Sequence, residues 1–177
     1  MTRTGPGRRP GNGPKKSPAC ARYAERVSRS NASKSVYSAL NDADSLVLER
    51  VVGEGQLLAD LAFADIVFWV RQADGRFIAA AHLRPSSSAT LFYRDVVGTT
   101  PRSEWQNIIE QAYESKTIVD SSHPDWLEHT PARTRAVPVC RTDRAKADGD
   151  ERTPVAVMTR HSNLSESRMP SRLELTF

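Results

Sequence analysis

Histidine and carboxylate side chains could build a catalytic or metal site, and the chain gathers them in only one short segment. His123 and His129 flank Trp126, with Asp125 and Glu128 beside them. This cluster has metal-ligand residue types, but its spacing fits no compact metal motif. Because His-Pro and Thr-Pro pairs usually mark turns, we interpret the segment as a loop and predict no metal site.

Motifs for nucleotide binding and acyl transfer are missing from the sequence. Gly53-Glu54-Gly55 lies inside a helical pattern and Gly11-Asn12-Gly13 lies near the N-terminus, so neither fits a phosphate-binding loop. No serine has the strand-turn-helix setting of a nucleophile elbow. Cys20 and Cys140 match no metal or redox spacing, which favours a reducing compartment. We therefore predict no catalytic residue and no cofactor.

Three aromatic residues and one histidine are the candidates for contact with a small molecule. Trp69, Tyr93 and Trp126 could line a pocket, and His82 lies near the end of a predicted strand. Core packing is the commoner role for a residue such as Trp69, and a hydrogen-bonded structural role is the commoner one for His82. We expect these four to face the space between a sheet and its helices, where an unidentified ligand could bind.

The positive charge of the chain is concentrated at its N-terminus. Residues 1–35 hold nine Lys and Arg residues and one acidic residue, so their charge of +8 leaves −4 for the rest of a chain whose total is +4. The Gly, Pro and Ser content predicts a disordered basic tail over residues 1–41. Nucleic-acid binding by this tail is an alternative, but aromatic residues hardly interleave with its charges, so a solvated extension is favoured.

No segment is predicted to cross a membrane. The most apolar run, from Leu57 to Val70, is interrupted by Asp60 and Asp65 and is too short for a span. The N-terminus is positively charged, but no apolar core follows it, so it does not fit a secretory signal. We predict a cytoplasmic protein.

A helix should open the ordered region. Asp42, Asp44 or Ser45 could cap it, and its pattern continues to about Phe63. Apolar residues recur at helical spacing and predict one buried face, consisting of Leu48, Val51, Val52, Leu58, Leu61 and Ala62.

After this helix, the spacing of apolar residues changes to one that is typical of β-strands. A strand over Asp65–Arg71, apolar at successive positions, should be central, and Asp74-Gly75 predicts a hairpin to a second strand. A helix should open at Ser103, with Trp105, Ile108, Ile109 and Ala112 on one face. Three further strands are predicted, over Thr90–Val97, Arg135–Arg141 and Pro154–Arg160. The result is an α+β fold, an antiparallel sheet with helices on one face or at one end, in the outline of GAF and PAS domains.

Three blocks of the sequence form a recognisable set. They are Leu57 to Asp65 with the Trp69-Val70-Arg71 strand and the Asp74-Gly75 turn, Val96-Val97-Gly98 with Pro101 to Trp105, and Met158 to Ser165 with Pro170 to Phe177. Together they resemble the N-terminal, GAF-like domain of PdtaS-type sensor histidine kinases. The resemblance spans roughly residues 45–177. It implies a GAF-like sensor domain over residues 42–169 and the start of a connecting signalling helix over residues 170–177.

The resemblance also implies a function. Kinases of this family autophosphorylate on histidine and pass the phosphoryl group to a response regulator, and a PAS domain and the kinase region follow the GAF-like domain. No histidine here stands in the expected His-Arg-x-Lys-Asn-Asn context. We therefore expect the signal-input domain of a homodimeric two-component kinase, cut before the PAS and kinase regions and not itself an enzyme. The alternative is a stand-alone small-molecule-binding or protein-interaction domain.

Overall fold

The computed structural model describes residues 36–127, 129–142 and 152–165. Residues 1–35 of the predicted tail and the helix predicted from Pro170 lie outside these residues. Within the described residues, two complete helices and six strands follow one another, and we number them α1 (Asp42–Ala62), β1 (Ala64–Arg71), β2 (Phe77–Leu83), α2 (Ser103–Ser115), β3 (Val119–Asp120), β4 (Asp125–Leu127), β5 (Thr130–Thr142) and β6 (Arg152–Asn163).

The strands form one antiparallel sheet in the order β2-β1-β6-β5-β3, and β4 also pairs with β5. Strand β1 is buried on both faces between β2 and β6, as its unbroken apolar run predicts. The hairpin from β1 to β2 turns at Gly75, whose φ of 85° is easy only for glycine. The predicted α+β fold is confirmed.

The helices lie on opposite faces of the sheet, not together on one face or at one end. Helix α1 packs on a cluster that includes Ile66, Phe68 and Val70. Helix α2 and the segment before it cover the other face, which presents Val67 and Trp69. Because consecutive strand residues point to opposite faces, the apolar run of β1 supplies both cores.

Helix α1 is capped by Asn41, not by any of the three residues that the sequence suggested. The Asn41 Oδ1 atom accepts a hydrogen bond of 2.9 Å from the Asp44 amide, which satisfies a free donor of the first turn. The helix ends at Phe63 in a left-handed conformation. The described structure also begins before the expected boundary at Asp42, because Val36 is already buried against the α1 side of the sheet.

The buried face of α1 differs from the predicted one. Leu48 and Val52 face the sheet as expected, but the next contacts are made by Gly55 and Ala59. Leu58 and Leu61 are exposed instead. Helix and sheet approach so closely at this end that only small residues fit between them.

Gly55 and Gly53 provide a matched pair for testing this close approach. A Cβ atom at Gly55 would lie 2.3 Å from Leu83 Cδ1, whereas one at Gly53 would meet nothing within 4 Å. We expect Gly55→Ala to destabilise the fold by about 1–3 kcal/mol through overpacking. Gly53→Ala should stabilise it by up to about 1 kcal/mol through helix propensity. Urea unfolding of both variants measures the difference, and equal effects would contradict the close approach.

The segment between β2 and α2, residues 84–102, contains no strand, so the strand predicted over Thr90–Val97 is wrong. We call this segment the strap. In a strand that packs on one face only, buried and exposed residues alternate. Leu91 and Phe92 are consecutive and both buried, so they do not follow that pattern. The strap instead binds to the sheet through side chains and through Ala79, which exchanges backbone hydrogen bonds with Gly98 and Thr99.

The segment predicted as a loop around His123 and Trp126 is partly extended. Strand β4 pairs Asp125 with Ala132 and Leu127 with Thr130, so β5 begins before the predicted Arg135. The register between β5 and β6 shifts at Val139 and Cys140, next to Pro138, which has no amide hydrogen to donate to a neighbouring strand.

Candidate functional site

A row of buried polar side chains crosses the sheet on the face that α2 and the strap cover. Asp65 of β1 pairs with His161 of β6, and His161 pairs with Thr134 of β5. His82 of β2 and Thr159 of β6 flank the neighbouring position of β1 on the same face. We call these five residues the polar row. Its members come from four strands, so only the folded sheet brings them together.

His161 is fully buried in the polar row and bonded at both ring nitrogens. Its Nδ1 lies 3.1 Å from Thr134 Oγ1, and its Nε2 lies 2.9 Å from Thr159 Oγ1. Burial lowers the pKa of His161 to about 3, although the nearby Asp65 charge acts in the opposite direction. A neutral imidazole has one donor and one acceptor, so the two hydroxyls satisfy it completely.

Asp65 connects the polar row to the strap. Its Oδ2 accepts a 2.7 Å hydrogen bond from the Leu91 amide, and its Oδ1 accepts one of 2.6 Å from Thr90 Oγ1. The carboxyl group is fully buried. Hydrogen bonds to a charged acceptor are among the stronger ones in proteins, so Asp65 fixes the strap where Leu91 and Phe92 enter the core.

His82 is the least satisfied member of the polar row. Its side chain is only 2% exposed, and Nε2 lies 3.4 Å from Asp65 Oδ1 without forming a hydrogen bond. Its Nδ1 lies 3.7 Å from the carboxylate of Asp95, an exposed residue of the strap. A buried polar atom without a partner is uncommon in a folded protein and calls for an explanation.

Two aromatic rings cover the polar row. The Phe92 ring lies edge-to-face at 5.0 Å from both His82 and His161. The Trp105 ring lies 4.5 Å from His161 and 5.9 Å from Phe92. Trp105 Nε1 donates to Asp125 Oδ2 at 2.7 Å, which ties α2 to β4. The row is thus enclosed by rings from the strap and from α2.

A second carboxylate holds the strap to helix α1. Asp60 Oδ1 accepts from the Ser86 amide at 2.6 Å and from Ser86 Oγ at 2.9 Å. Ser87 Oγ donates to the Asp60 carbonyl, and Gln56 Nε2 donates to the Arg84 carbonyl, both at 2.8 Å. The bond from the Ser86 amide holds the pKa of Asp60 below its usual value. We call this group of contacts the latch.

The structure separates the four ligand candidates of the sequence into two pairs. Trp69 lies in the core beside the polar row, and its Nε1 donates to Thr159 Oγ1 at 2.8 Å. His82 is a member of the row. Tyr93 and Trp126, by contrast, are 73% and 65% exposed. The structure therefore brings Trp69 and His82 close to one site but leaves Tyr93 and Trp126 at the surface.

Sequence reasoning missed Asp65, His161 and Phe92 as site residues. A polar residue in a strand predicted to be buried on both faces was an available signal for Asp65. The alternation of Thr159 with His161 in a predicted strand was a second signal, because residues two apart share a face. No signal marked Phe92, since the strand predicted there was wrong.

The segment that carried metal-ligand residue types forms the side of a surface cleft. This cleft of about 280 Å³ is lined partly by Trp105, Ser121, His123 and Asp125. Among the described residues, no three His, Cys, Asp or Glu side chains come close enough to hold a metal ion. Within those same ranges, neither helix combines the length and apolar character needed to cross a membrane.

Comparison with known proteins adds a family to this geometry. The family model for the GAF domain of the histidine kinase PdtaS matches residues 35–177. The sensor histidine kinase PdtaS of Mycolicibacterium smegmatis is 35% identical over 130 residues, which cover 72% of this chain and 24% of that protein. The protein of the same name from Mycobacterium tuberculosis H37Rv is 52% identical over 52 residues, covering 29% of this chain and 10% of that protein.

A solved structure described as the sensor region of a sensor histidine kinase has a similar fold. Its TM-score is 0.54 at 26% sequence identity, and the match covers 81% of this chain and 47% of that one. The chain spans about a quarter of the length of the Mycolicibacterium relative. The shared region is therefore a sensor domain.

Proposed function

This chain belongs to the family of GAF domains of the histidine kinase PdtaS, and from that membership we propose that it supplies the input signal of a cytoplasmic two-component kinase. In such a kinase a PAS domain and the phosphotransfer region would follow it, and a response regulator would receive the phosphoryl group. The match of the family model over residues 35–177 carries the proposal. The polar row, which includes His82, is where we propose that a small molecule is sensed, with Trp69 beside it.

Helix α1 offers a surface for pairing with a second copy of the chain. Leu46, Leu57 and Leu61 follow one side of the helix at spacings of eleven and four residues and are each at least 58% exposed. Arg50 and Glu54 lie between them on the same side. We call these five residues the leucine face. Because α1 already buries its opposite side on the sheet, the leucine face has no partner among the described residues.

A homodimer is the occupant that fits the leucine face. Burying exposed leucines against each other removes apolar surface from water, which is the main favourable term in association. The face also carries one positive and one negative side chain, so two copies related by a two-fold axis can pair Arg50 with Glu54. Pairing of the sensor helices would place α1 where a change in the domain can reach the kinase.

Replacing Leu61 with glutamate tests the dimer and the sensor role together. We expect Leu61→Glu to weaken self-association of the chain at least tenfold, because it places two like charges in a desolvated contact. In a full-length kinase carrying this domain, the same change should alter the autophosphorylation rate. Analytical ultracentrifugation and an autokinase assay measure the two effects.

Ile118→Glu is the matched control, since Ile118 is also 58% exposed but lies outside α1. It should leave both self-association and autophosphorylation unchanged. If Leu61→Glu also changes neither, the leucine face is not a dimer contact, and the stand-alone binding domain becomes the better interpretation.

A further inference from the structure

The contacts around Phe92 suggest what the polar row binds and how access to it is controlled, an inference that rests on the proposed sensor function. We propose that the Phe92 ring occupies the site of a planar heteroaromatic ligand with an N–H donor, and that the latch at Asp60 controls whether the strap opens to admit it. The site would be formed by Asp65, His82 and His161 after the strap lifts.

The Phe92 ring is apolar, whereas the side chains that it covers are polar. Phe92 places an apolar ring against His82, whose buried Nε2 has no hydrogen-bond partner in the described structure. Asp65 Oδ1 lies 3.4 Å from that nitrogen and accepts from one strap hydroxyl. A phenyl ring cannot satisfy the His82 nitrogen, and the Asp65 oxygens are bonded only to the strap. A ring that carries a donor and an acceptor can bond to the carboxylate and to the imidazole at once.

The shape of the space also favours a planar ring. Three aromatic side chains surround the Phe92 ring edge-to-face, with centroids at 5.0 Å for His82, 5.0 Å for His161 and 5.9 Å for Trp105. These are the distances at which aromatic pairs attract one another. A heteroaromatic ligand in place of Phe92 would keep those contacts and add hydrogen bonds.

The first half of the strap can lift while the second half stays bonded to Ala79. The strap is irregular, and Tyr93, Arg94 and Asp95, directly after Phe92, are exposed. Two carboxylates hold its first half, Asp65 from within the site and Asp60 from α1. A ligand that bonds to Asp65 competes directly with Leu91 and Thr90 for its oxygens. Once those bonds are lost, the latch is what keeps this half closed.

The latch joins the site to the leucine face. Asp60 and Gln56 bind the strap from the turn of α1 that carries Leu57 and Leu61. Opening the strap therefore removes hydrogen bonds from the same turn that the proposed dimer would use. This arrangement gives ligand binding and α1 a shared set of contacts, as coupling between two sites requires.

Benzimidazole, with indene as its apolar isostere, is the probe for this proposal. The affinity of the full chain for a ligand that needs the open strap is reduced by the fraction of molecules that are open. We expect Asp60→Ala, which removes the carboxylate of the latch, to bind benzimidazole about tenfold more tightly than the unchanged chain. Glu49→Ala, an exposed carboxylate on the same helix that belongs to neither the latch nor the leucine face, is the control and should change nothing. Titration followed by the indole N–H resonance of Trp105 reports binding at the site.

Phe92→Ala removes the ring itself and should also bind benzimidazole more tightly than the unchanged chain, with Phe92→Leu as the substitute if the alanine variant fails to fold. The proposal is overturned if Asp60→Ala binds no more tightly than Glu49→Ala, if indene binds as well as benzimidazole, or if none of the variants binds either. Each of these outcomes leaves the effect of Leu61→Glu on the kinase unaffected, so failure of the site and failure of the sensor role can be told apart.

Discussion

Replacing Trp69 with alanine is expected to lower the free energy of unfolding by about 3–5 kcal/mol, the range for truncating a buried aromatic side chain. Trp69 is 1% exposed, lies 6.4 Å from Trp105 and donates its indole N–H to Thr159. The substitution therefore removes packing from the core of one face of the sheet and a hydrogen bond from the polar row.

Trp126→Ala provides the matched comparison, because Trp126 is the same residue type and was also a ligand candidate. At 65% exposure it should change the stability by no more than about 0.5 kcal/mol. Trp69→Phe should fall between the two, since it keeps a ring and loses the donor. Urea unfolding with unchanged m-values measures all three, and a similar cost for Trp69→Ala and Trp126→Ala would show that Trp69 is not part of the core.

Those parts of the fold that depend on neighbouring residues were predictable from the sequence. The Asp74-Gly75 pair predicts the turn between β1 and β2, because Gly75 adopts a positive φ and Asp74 Oδ1 accepts from the Arg76 amide. The face of α2 that contains Trp105, Ile109 and Ala112 follows from helical periodicity and is buried as predicted. Both features are determined by residues that lie close together in the sequence.

The face of α1 shows why periodicity was not sufficient elsewhere. Leu58 and Leu61 make a more hydrophobic stripe than Gly55 and Ala59 do, so the sequence favoured burying these two leucines. The small residues are buried against the sheet instead, because Gly55 lets the helix backbone approach Leu83. These exposed leucines therefore belong to the surface of the domain, although their spacing in the sequence predicted a buried face.

The strap and the polar row depend on contacts that are distant in sequence. The Asp65 carboxylate accepts a hydrogen bond from the Leu91 amide, 26 residues away in the sequence. This bond takes the place of the backbone hydrogen bonds that a strand at Thr90–Val97 would make with a neighbouring strand. His161 meets Thr134 only because β5 and β6 pair in the observed register. A slip of one residue would turn His161 to the other face. Neither register nor side-chain anchoring can be read from one sequence, so the site could be predicted only as a region.

Acid is expected to destabilise the domain through His161. Its pKa is lowered to about 3 when folded from an ordinary value of 6.5. Between these values the unfolded chain binds a proton that the folded chain excludes, so the free energy of unfolding decreases as the pH falls through this range. The slope approaches about 1.4 kcal/mol per pH unit, which gives a loss of roughly 3 kcal/mol between about pH 7.5 and about pH 4.5.

His161→Gln isolates this effect from the carboxylates, which also titrate in acid. The variant should lose most of the slope between about pH 6.5 and about pH 4.5, whatever its stability at neutral pH. His123→Gln, at an exposed loop histidine, should keep the slope of the unchanged chain. If His161→Gln fails to fold, the imidazole resonance of His161 in the unchanged chain should stay constant down to about pH 4.5. A resonance that shifts near pH 6.5 would mean that His161 is accessible to solvent, and the polar row would then be open in the resting domain.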